Sequence, residues 1–333
     1  MKVLFIGGTG IISSACSDMA IERGIELYLL NRGQSMRPAH PEAHHLHGDI
    51  RQPKTVEALL SEHTFDVVVN WVAYIPEHIQ TDLRLFRGRT GQYVYISSAS
   101  AYQTPPTRLP VTEATPLENP VWQYSRDKIA CEELLMQAYQ QESFPVTIVR
   151  PSHTYDRTYL PMHGNYTTLE RMRRGQKVIV HGDGSSLWTL THHVDFAKGF
   201  VGLFGHPKAI GEAFHITSDE WLSWNQIYEL TALAAGATAE LVHVPSELIA
   251  AYDPEWGNSL LGDKTHSMIF DNSKIKALVP DFKATIPFAN GVKETVAWLD
   301  AHPASQHIDA NFNDLVERIL TAYQCAWPAA ENR

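Results

Sequence analysis

Cysteine is scarce in this 333-residue chain: Cys16, Cys131 and Cys325 are widely spaced and odd in number. That count excludes a disulfide framework and a four-thiolate zinc site, and it suits a reducing compartment. Basic charge is not in excess either. Lys and Arg number 27 against 37 Asp and Glu, a formal net charge of −10, so a nucleic-acid face would have to come from local clustering. The short cluster Arg171, Arg173 and Arg174 reads as a solvated helix face. No apolar run approaches the roughly 18 residues that a membrane span needs. The opening MKVLFIGG is too short and too soon broken by glycine for a signal peptide, and reads as a first strand. Internal repeats and low-complexity linkers are also lacking. What remains is a chain expected in the cytoplasm, without a membrane or nucleic-acid partner, and long enough to bury a large core.

What is present is alternation. Lys2–Ile6, Glu26–Leu30, Asp66–Asn70, Gln92–Ser97 and Val146–Arg150 have the short β-branched runs of strands. Between them Ser13–Arg23, Pro53–Ser61, Glu77–Phe86 and Tyr124–Gln141 have helical character. This pattern predicts an α/β fold: a Rossmann-type, doubly wound parallel sheet with helices on both faces. After Arg150 the pattern loosens, with strands expected at Val178–His181 and Ala213–Thr217 and helices at Val194–Leu203, Ser223–Ala235 and Ile286–Ala301. Residues 304–333 read as one more helix and a frayed end. The predicted division is a dinucleotide-binding domain over 1–151, rejoined by 185–212, and a smaller C-terminal α+β substrate lobe from 152–184 and 213–333.

The segment Val3 to Ser13 reads as strand, tight turn and helix start. Glycines at such a turn let a pyrophosphate approach the backbone, and the helix N-terminus offers unpaired N–H groups to it. Gly8-x-Gly10-x-x-Ser13 fits the dinucleotide fingerprint except that serine replaces the third glycine. Gly7, Gly10, Ile11 and Ile12 are therefore cofactor candidates. The second strand ends in Asn31-Arg32, where an acidic residue would grip the adenosine ribose of NAD. A neutral Asn31 and a planar cation at Arg32 favour the 2′-phosphate of NADP over NAD. Asp49 and Ile50, after a third strand, and Val72 and Ala73 complete the cofactor set.

Tyr124 and Lys128 are four residues apart on one helix face. A free tyrosine titrates near pH 10, too high for proton transfer at neutral pH. An adjacent ammonium, with an oxidised nicotinamide, is expected to favour the phenolate, which then takes the proton of a substrate hydroxyl. A serine hydroxyl close by would bond the same oxygen, and Ser98 ends the preceding strand.

With GGTGIIS, GDI at 48–50, ISSASAY, YSRDK, RPSHTY, HGDGSS and FDNSK near 270–274, the chain resembles an extended short-chain dehydrogenase/reductase of the NAD-dependent epimerase/dehydratase family. The resemblance runs to about residue 300. It implies that Ser98, Tyr124 and Lys128 are catalytic, that Lys128 also holds the nicotinamide ribose, and that Pro151 and Ser152 pass the nicotinamide. The implied function is NAD(P)-dependent oxidoreduction or epimerisation of a sugar, polyol or related hydroxyl or keto substrate. A nucleotide-sugar 4-epimerase and a non-catalytic NADP-sensing or RNA-binding Rossmann protein are the alternatives. The overall pattern is similar to a bacterial subgroup related to the plastid stem-loop-binding proteins, whose RNA-linked role the net charge of −10 argues against carrying over.

Two departures bear on the substrate. Family members that dehydrate nucleotide sugars carry Asp-Glu after the catalytic serine or threonine, where Ala99-Ser100 stand here. Many nucleotide-sugar enzymes place an arginine where Trp188 stands. Trp122, His153, Tyr155 and Trp188 are the candidate substrate contacts. His40, His44, His45 and His47 lie in what reads as a solvated loop, with no carboxylate or thiol cluster to make a metal site, and no metal is expected. His192-His193 reads as a structural turn. The helix after the fourth strand is short, which is expected to alter the face through which family members dimerise, and a homodimer is left open.

Overall fold

A computed structural model of the chain describes residues 1–326. Its first half runs β1 (Lys2–Ile6), α1 (Ile11–Glu22), β2 (Glu26–Asn31), β3 (His44–His47), α2 (Pro53–Leu60), β4 (Phe65–Asn70), α3 (Pro76–Phe86), β5 (Thr90–Ile96), α4 (Gln123–Glu142) and β6 (Val146–Pro151). The second half adds β7 (His153–Tyr155), α5 (Tyr166–Arg173), β8 (Lys177–His181), β9 (Leu187–Trp188), β10 (Leu190–His192), α6 (His193–Val201), β11 (Glu212–Ile216) and β12 (Leu222–Ser223). It closes with α7 (Trp224–Ala234), β13 (Glu240–Val244), α8 (Ser246–Tyr252), α9 (Pro254–Ser259), α10 (Ser273–Leu278), α11 (Phe288–Ala301) and α12 (Ala310–Cys325). The frayed end expected at 327–333 lies outside the described residues.

Seven strands form one sheet in the order β11-β6-β5-β4-β1-β2-β3, every pair parallel. Strands as apolar as Val67-Val68-Val69 are buried because helices cover both faces. Ala15, Cys16 and Ala20 of α1 and Phe196 and Phe200 of α6 pack on one face, with Ile275 of α10. Val56 of α2, Leu83 of α3, and Cys131 and Leu135 of α4 cover the other. The strand order reverses between β1 and β4, which opens a crevice at their carboxyl ends, where ligands of such sheets bind.

The second lobe is built from small two-stranded sheets, β8 with β13, β7 with β10, and β9 with β12. Its cores gather Tyr155, Trp188, Trp224, Phe288 and Val292 in one cluster and Val244, Trp256, Phe312 and Ile319 in another.

Three expectations need correction. The strand assigned to the second lobe at 213–217 is β11, which extends the central sheet beside β6, so 213–216 return to the first layer. His44, His45 and His47 lie on β3, not in a loop; this edge strand pairs with β2 although its composition is polar, because only one neighbour is needed there. Arg171 is no solvated residue. Its side chain is buried, donating to Asn313 Oδ1, Glu317 Oε1 and the Lys177 carbonyl, and it clamps α12 to α5. Arg173 and Arg174 pair with Asp300 and Glu170.

Among the described residues, no helix is long and apolar enough to cross a membrane, and no group of three or more His, Cys, Asp or Glu could hold a metal ion.

Candidate active site

Parallel strands bring the segments that follow them to one edge. Gly7 follows β1, Arg32 follows β2, Val72 follows β4, Ser98 follows β5 and Ser152 follows β6. Three adjoining cavities run along this edge and a fourth continues into the second lobe.

At the turn, Gly7 and Gly8 take φ of +105° and +102°, a region that side chains rarely adopt. A Cβ on Gly8 would stand 2.6 Å from Leu29 Cδ2. Gly10 caps α1, and its N–H donates to Ser13 Oγ at 2.7 Å. Serine in place of the third glycine therefore closes the turn with its own hydroxyl. Gly7, Gly10, Ile11 and Ile12 line a cavity of about 510 Å³ that reaches Ser98, Tyr124, Lys128, Pro151 and Ser152. A second cavity of about 710 Å³ holds Asn31, Arg32, Asp49 and Ile50, and shares Gly7, Thr9, Ser35, Val72 and Tyr74 with the first. The open glycine turn at a helix start, with two joined cavities beside it, fits a dinucleotide. Ala73 differs from the other candidates. It is buried and reaches the site through its carbonyl alone.

In the second cavity three arginines, Arg32, Arg37 and Arg51, face one carboxylate, Asp49. Arg37 pairs with Asp156 at 2.9 Å and also donates to Thr158; Arg51 donates to the Val72 carbonyl. Arg32 is exposed and is held by no ion pair or hydrogen bond among the described residues. Asn31 Oδ1 accepts from Gly33 N at 3.0 Å, and Asp49 Oδ1 from Arg51 N at 2.9 Å. Both bonds close local turns.

Tyr124 opens α4, and the turn before it is fixed by Asn119. The Asn119 amide donates to the Ser100 and Gly262 carbonyls, and its oxygen accepts from Trp122 N at 2.8 Å. Ser98, Ser100 and Ser125 form a buried chain of hydroxyls, at 2.9 and 2.8 Å, ending at the Ser98 side chain. Burial pushes the Tyr124 phenol up to about 12, and its hydrogen bond with Ser98 is the chief opposing influence. Lys128 is buried, with Nζ donating to the Ala73 and Ile96 carbonyls, each at 2.8 Å. Burial pushes this ammonium down to about 8. The lowering of the tyrosine pKa expected from Lys128 is thus not supplied by that residue: Nζ stands 5.8 Å from the Tyr124 ring centroid, turned to backbone carbonyls. An ammonium has three donors, so one N–H of Lys128 is left.

The third cavity, about 230 Å³, is lined by Ser98, Tyr124, Pro151, Ser152, Trp122, His153 and Trp188, with Asp263 and Lys264. Trp188 is a buried wall, its Nε1–H donating to His153 Nδ1 at 3.2 Å. Burial pushes His153 down to about 3, so it is a neutral acceptor. Trp122, His153 and Lys264 are shared with the fourth cavity, about 590 Å³, bounded by Trp224, Tyr228, Trp256 and Asp253 among others. Tyr155, expected to touch substrate, lines none of these. It is core, packed on Phe288 and His192, and a Cβ on Gly291 would meet its hydroxyl at 2.2 Å. Strand alternation would set His153 and Tyr155, two apart on β7, on one face, but the chain turns at Asp156 and Tyr155 packs against Phe288 of α11.

Sequence reasoning missed Asp263, Lys264, Arg51 and Tyr74. None stands in a recognisable pattern; Asp263 and Lys264 arrive from a single π-helical turn at Leu260–Lys264. His192 caps α6 by accepting from Val194 N, in line with a structural role.

The sequence profile of the NAD dependent epimerase/dehydratase family matches residues 3–217. The chain belongs to that family. It is 25% identical over 303 residues to the 2′-dehydrokanamycin reductase of Streptomyces kanamyceticus, covering 90% of this chain and 84% of that protein. It is 28% identical over 263 residues to the 41 kDa chloroplast stem-loop binding protein b of Arabidopsis thaliana, 73% of this chain and 65% of the relative. Among solved structures, an epimerase from Methanothermobacter thermautotrophicus superposes with a TM-score of 0.75 at 18% identity, over 92% of this chain and 94% of its own. The UDP-glucose 4-epimerase of Thermotoga maritima does so at 0.74 and 19% identity, over 91% and 100%. The doubly wound sheet is the family's fold, and the NAD-dependent enzyme class expected from the motifs is that of the family.

Proposed function

We propose that this protein is an NADP-dependent oxidoreductase acting on a hydroxyl or ketone of a sugar, polyol or small glycoside, with Tyr124 as its acid/base. The observation that carries this reading is the junction itself: Tyr124, Ser98 and the Pro151-Ser152 segment line both the cavity at the glycine turn and the inner cavity of the second lobe. A substrate carbon seated there lies beside a proton donor and beside the cofactor cleft at once.

Gly7, Gly10, Ile11, Ile12, Val72, Pro151 and Ser152 would hold the nicotinamide cofactor, which would supply or accept the hydride. Tyr124 gives its proton to a carbonyl oxygen in reduction and takes it from a hydroxyl in oxidation. Ser98 bonds the same oxygen and holds its lone pair in line. The remaining N–H of Lys128 is the donor available to a ribose hydroxyl, which keeps its charge beside the phenolate. Arg32 and the neutral Asn31 are the reason for reading NADP rather than NAD: an unpaired guanidinium at the end of β2 matches a 2′-phosphate.

Trp188 as a buried wall, and Ala99-Ser100, an apolar residue and a serine in the hydroxyl chain, supply neither a cation for a diphosphate nor an acid–base pair for dehydration. This favours a substrate without a nucleotide, and a relative named for 2′-dehydrokanamycin is in keeping with it. A nucleic-acid-binding role is disfavoured by the pairing of Arg171, Arg173 and Arg174 with acids.

Nicotinamide absorbance during incubation with a panel of free sugars, polyols and glycosides tests the proposal. Turnover in the wild type that is lost in Tyr124→Phe supports it. Inertness of the wild type across the panel, with NADPH still tightly bound, favours a cofactor-sensing protein instead. Product formed with stoichiometric NADPH loss marks a reductase, and product with none marks an epimerase.

A further inference from the structure

The fourth cavity has a charge that its neighbours do not. Asp253, Glu255 and Asp309 lie in its wall, against the single cation Lys264. Lys264 is already engaged, with Nζ 3.3 Å from Asp263 Oδ2. The histidines of the wall add no charge, since burial pushes His163 and His181 each down to about 4 and His153 to about 3. Two of the carboxylates are half committed. Asp253 Oδ1 caps α9, accepting from Glu255 N and Trp256 N, and Asp309 Oδ1 caps α12, accepting from Phe312 N; in each the second oxygen is free to face a ligand. Trp122, Trp224, Trp256 and Tyr228 supply the apolar faces. Trp224 is buried in this wall, and its Nε1–H has no partner among the described residues.

We propose that this cavity receives a protonated amino group, so that the substrate is an amine-bearing glycoside or polyol and not a nucleotide-linked sugar. The inference rests on the reading of the inner cavity as the reaction site and assigns the chemistry of what extends beyond it. A diphosphate would meet three carboxylates and one neutralised lysine. An ammonium would meet the carboxylates directly, with aromatic faces beside it for cation–π contact and for the sugar ring.

The test is calorimetric titration of the NADPH-loaded protein, in slightly acidic buffer, with the β-1,4-linked disaccharide of glucosamine, its N,N′-diacetyl form, and UDP-glucose. The first two share one sugar backbone and linkage; acetylation removes the charge at each nitrogen and adds an acetyl group there, so a carboxylate variant isolates the part that charge plays. The charged sugar is expected to bind about tenfold more tightly than the acetylated one, and UDP-glucose more weakly than either. In the triple variant Asp253→Asn, Glu255→Gln, Asp309→Asn the caps persist, because asparagine accepts the same N–H bonds, and the preference should fall to near unity. Equal or tighter binding of the acetylated sugar or of UDP-glucose would overturn the inference, as would no binding of the charged sugar. The readout is affinity, so it separates from the proposed chemistry. A protein that prefers the charged sugar yet transfers no hydride contradicts the redox reading alone; turnover of UDP-glucose contradicts this inference alone.

Discussion

The two ends of the trough through this protein carry opposite charge. At the end of β2 and β3, three arginines face one carboxylate; in the second lobe, three carboxylates face one lysine that is itself paired. Between them lies a stretch where burial sets every protonation state, raising Tyr124 to about 12 and lowering Lys128 to about 8 and His153 to about 3. The contrast shows a division of labour that a family name alone does not carry. The first end is suited to an anionic cofactor with an added phosphate. The second is unsuited to an anionic substrate. The middle holds one buried ammonium, Lys128, beside a buried phenol, so a proton moved there is weakly screened.

Four changes would break or sharpen this contrast. The largest effect is expected at the middle: Tyr124→Phe should lower turnover by about a thousandfold while NADPH affinity is unchanged, as steady-state rates and a cofactor titration would show. Equal rates would remove the tyrosine from the chemistry.

The next concerns Lys128, whose folded pKa of about 8 lies below the ordinary lysine value. Above the unfolded pKa both states are neutral at this group and its burial costs nothing electrostatic. As the pH falls toward 8, the unfolded chain binds the proton first, so stability is lost over that window. Wild type should therefore gain roughly 3 kcal/mol relative to Lys128→Met as the pH rises from about 8 to about 10.4. Urea unfolding of both proteins at each end of the window measures it, and parallel curves would show that burial does not lower the lysine's pKa.

At the arginine-rich end, Arg32→Ala should weaken NADPH binding by about tenfold and leave NADH unaffected. A similar loss for both cofactors would mean that Arg32 does not read the 2′-phosphate. The smallest effect belongs to the wall. Trp188→Phe keeps the apolar surface and removes one N–H donor to His153, so KM should change by about threefold and stability by about 1 kcal/mol. A collapse of activity would give Trp188 a direct part in the reaction.

Much of the first half was legible because its signals are local. A glycine turn, a strand end and a Tyr-Lys pair on one helix face each lie within a few residues, and the parallel sheet aligns their ends. The seventh strand was misplaced for the opposite reason. Glu212–Ile216 reads as a strand wherever it pairs, and only the long return through α6 brings it beside β6. The same limit hid Asp263 and Lys264, which reach the Tyr124 cavity through a turn with no periodicity, and Arg51, whose position depends on the packing of β4. Arg171 was read as solvated because its helix face has charged neighbours in sequence, while its partners Asn313 and Glu317 lie more than a hundred residues away. Tyr155 shows the same failure in reverse, a residue near the site in sequence that the fold turns into the core.

The most direct test of the whole arrangement is isotope transfer from NADPH deuterated at the nicotinamide C4 to keto-sugars of three kinds, neutral, amino-substituted and nucleotide-linked, followed by mass spectrometry of the products. One deuterium should appear in the reduced amino or neutral glycoside with wild type, and none above background with Tyr124→Phe although that variant binds the cofactor equally. Labelled nucleotide-linked product, or equal labelling by wild type and Tyr124→Phe, would contradict the division between an anion-binding end, a proton-transferring middle and an anion-excluding end.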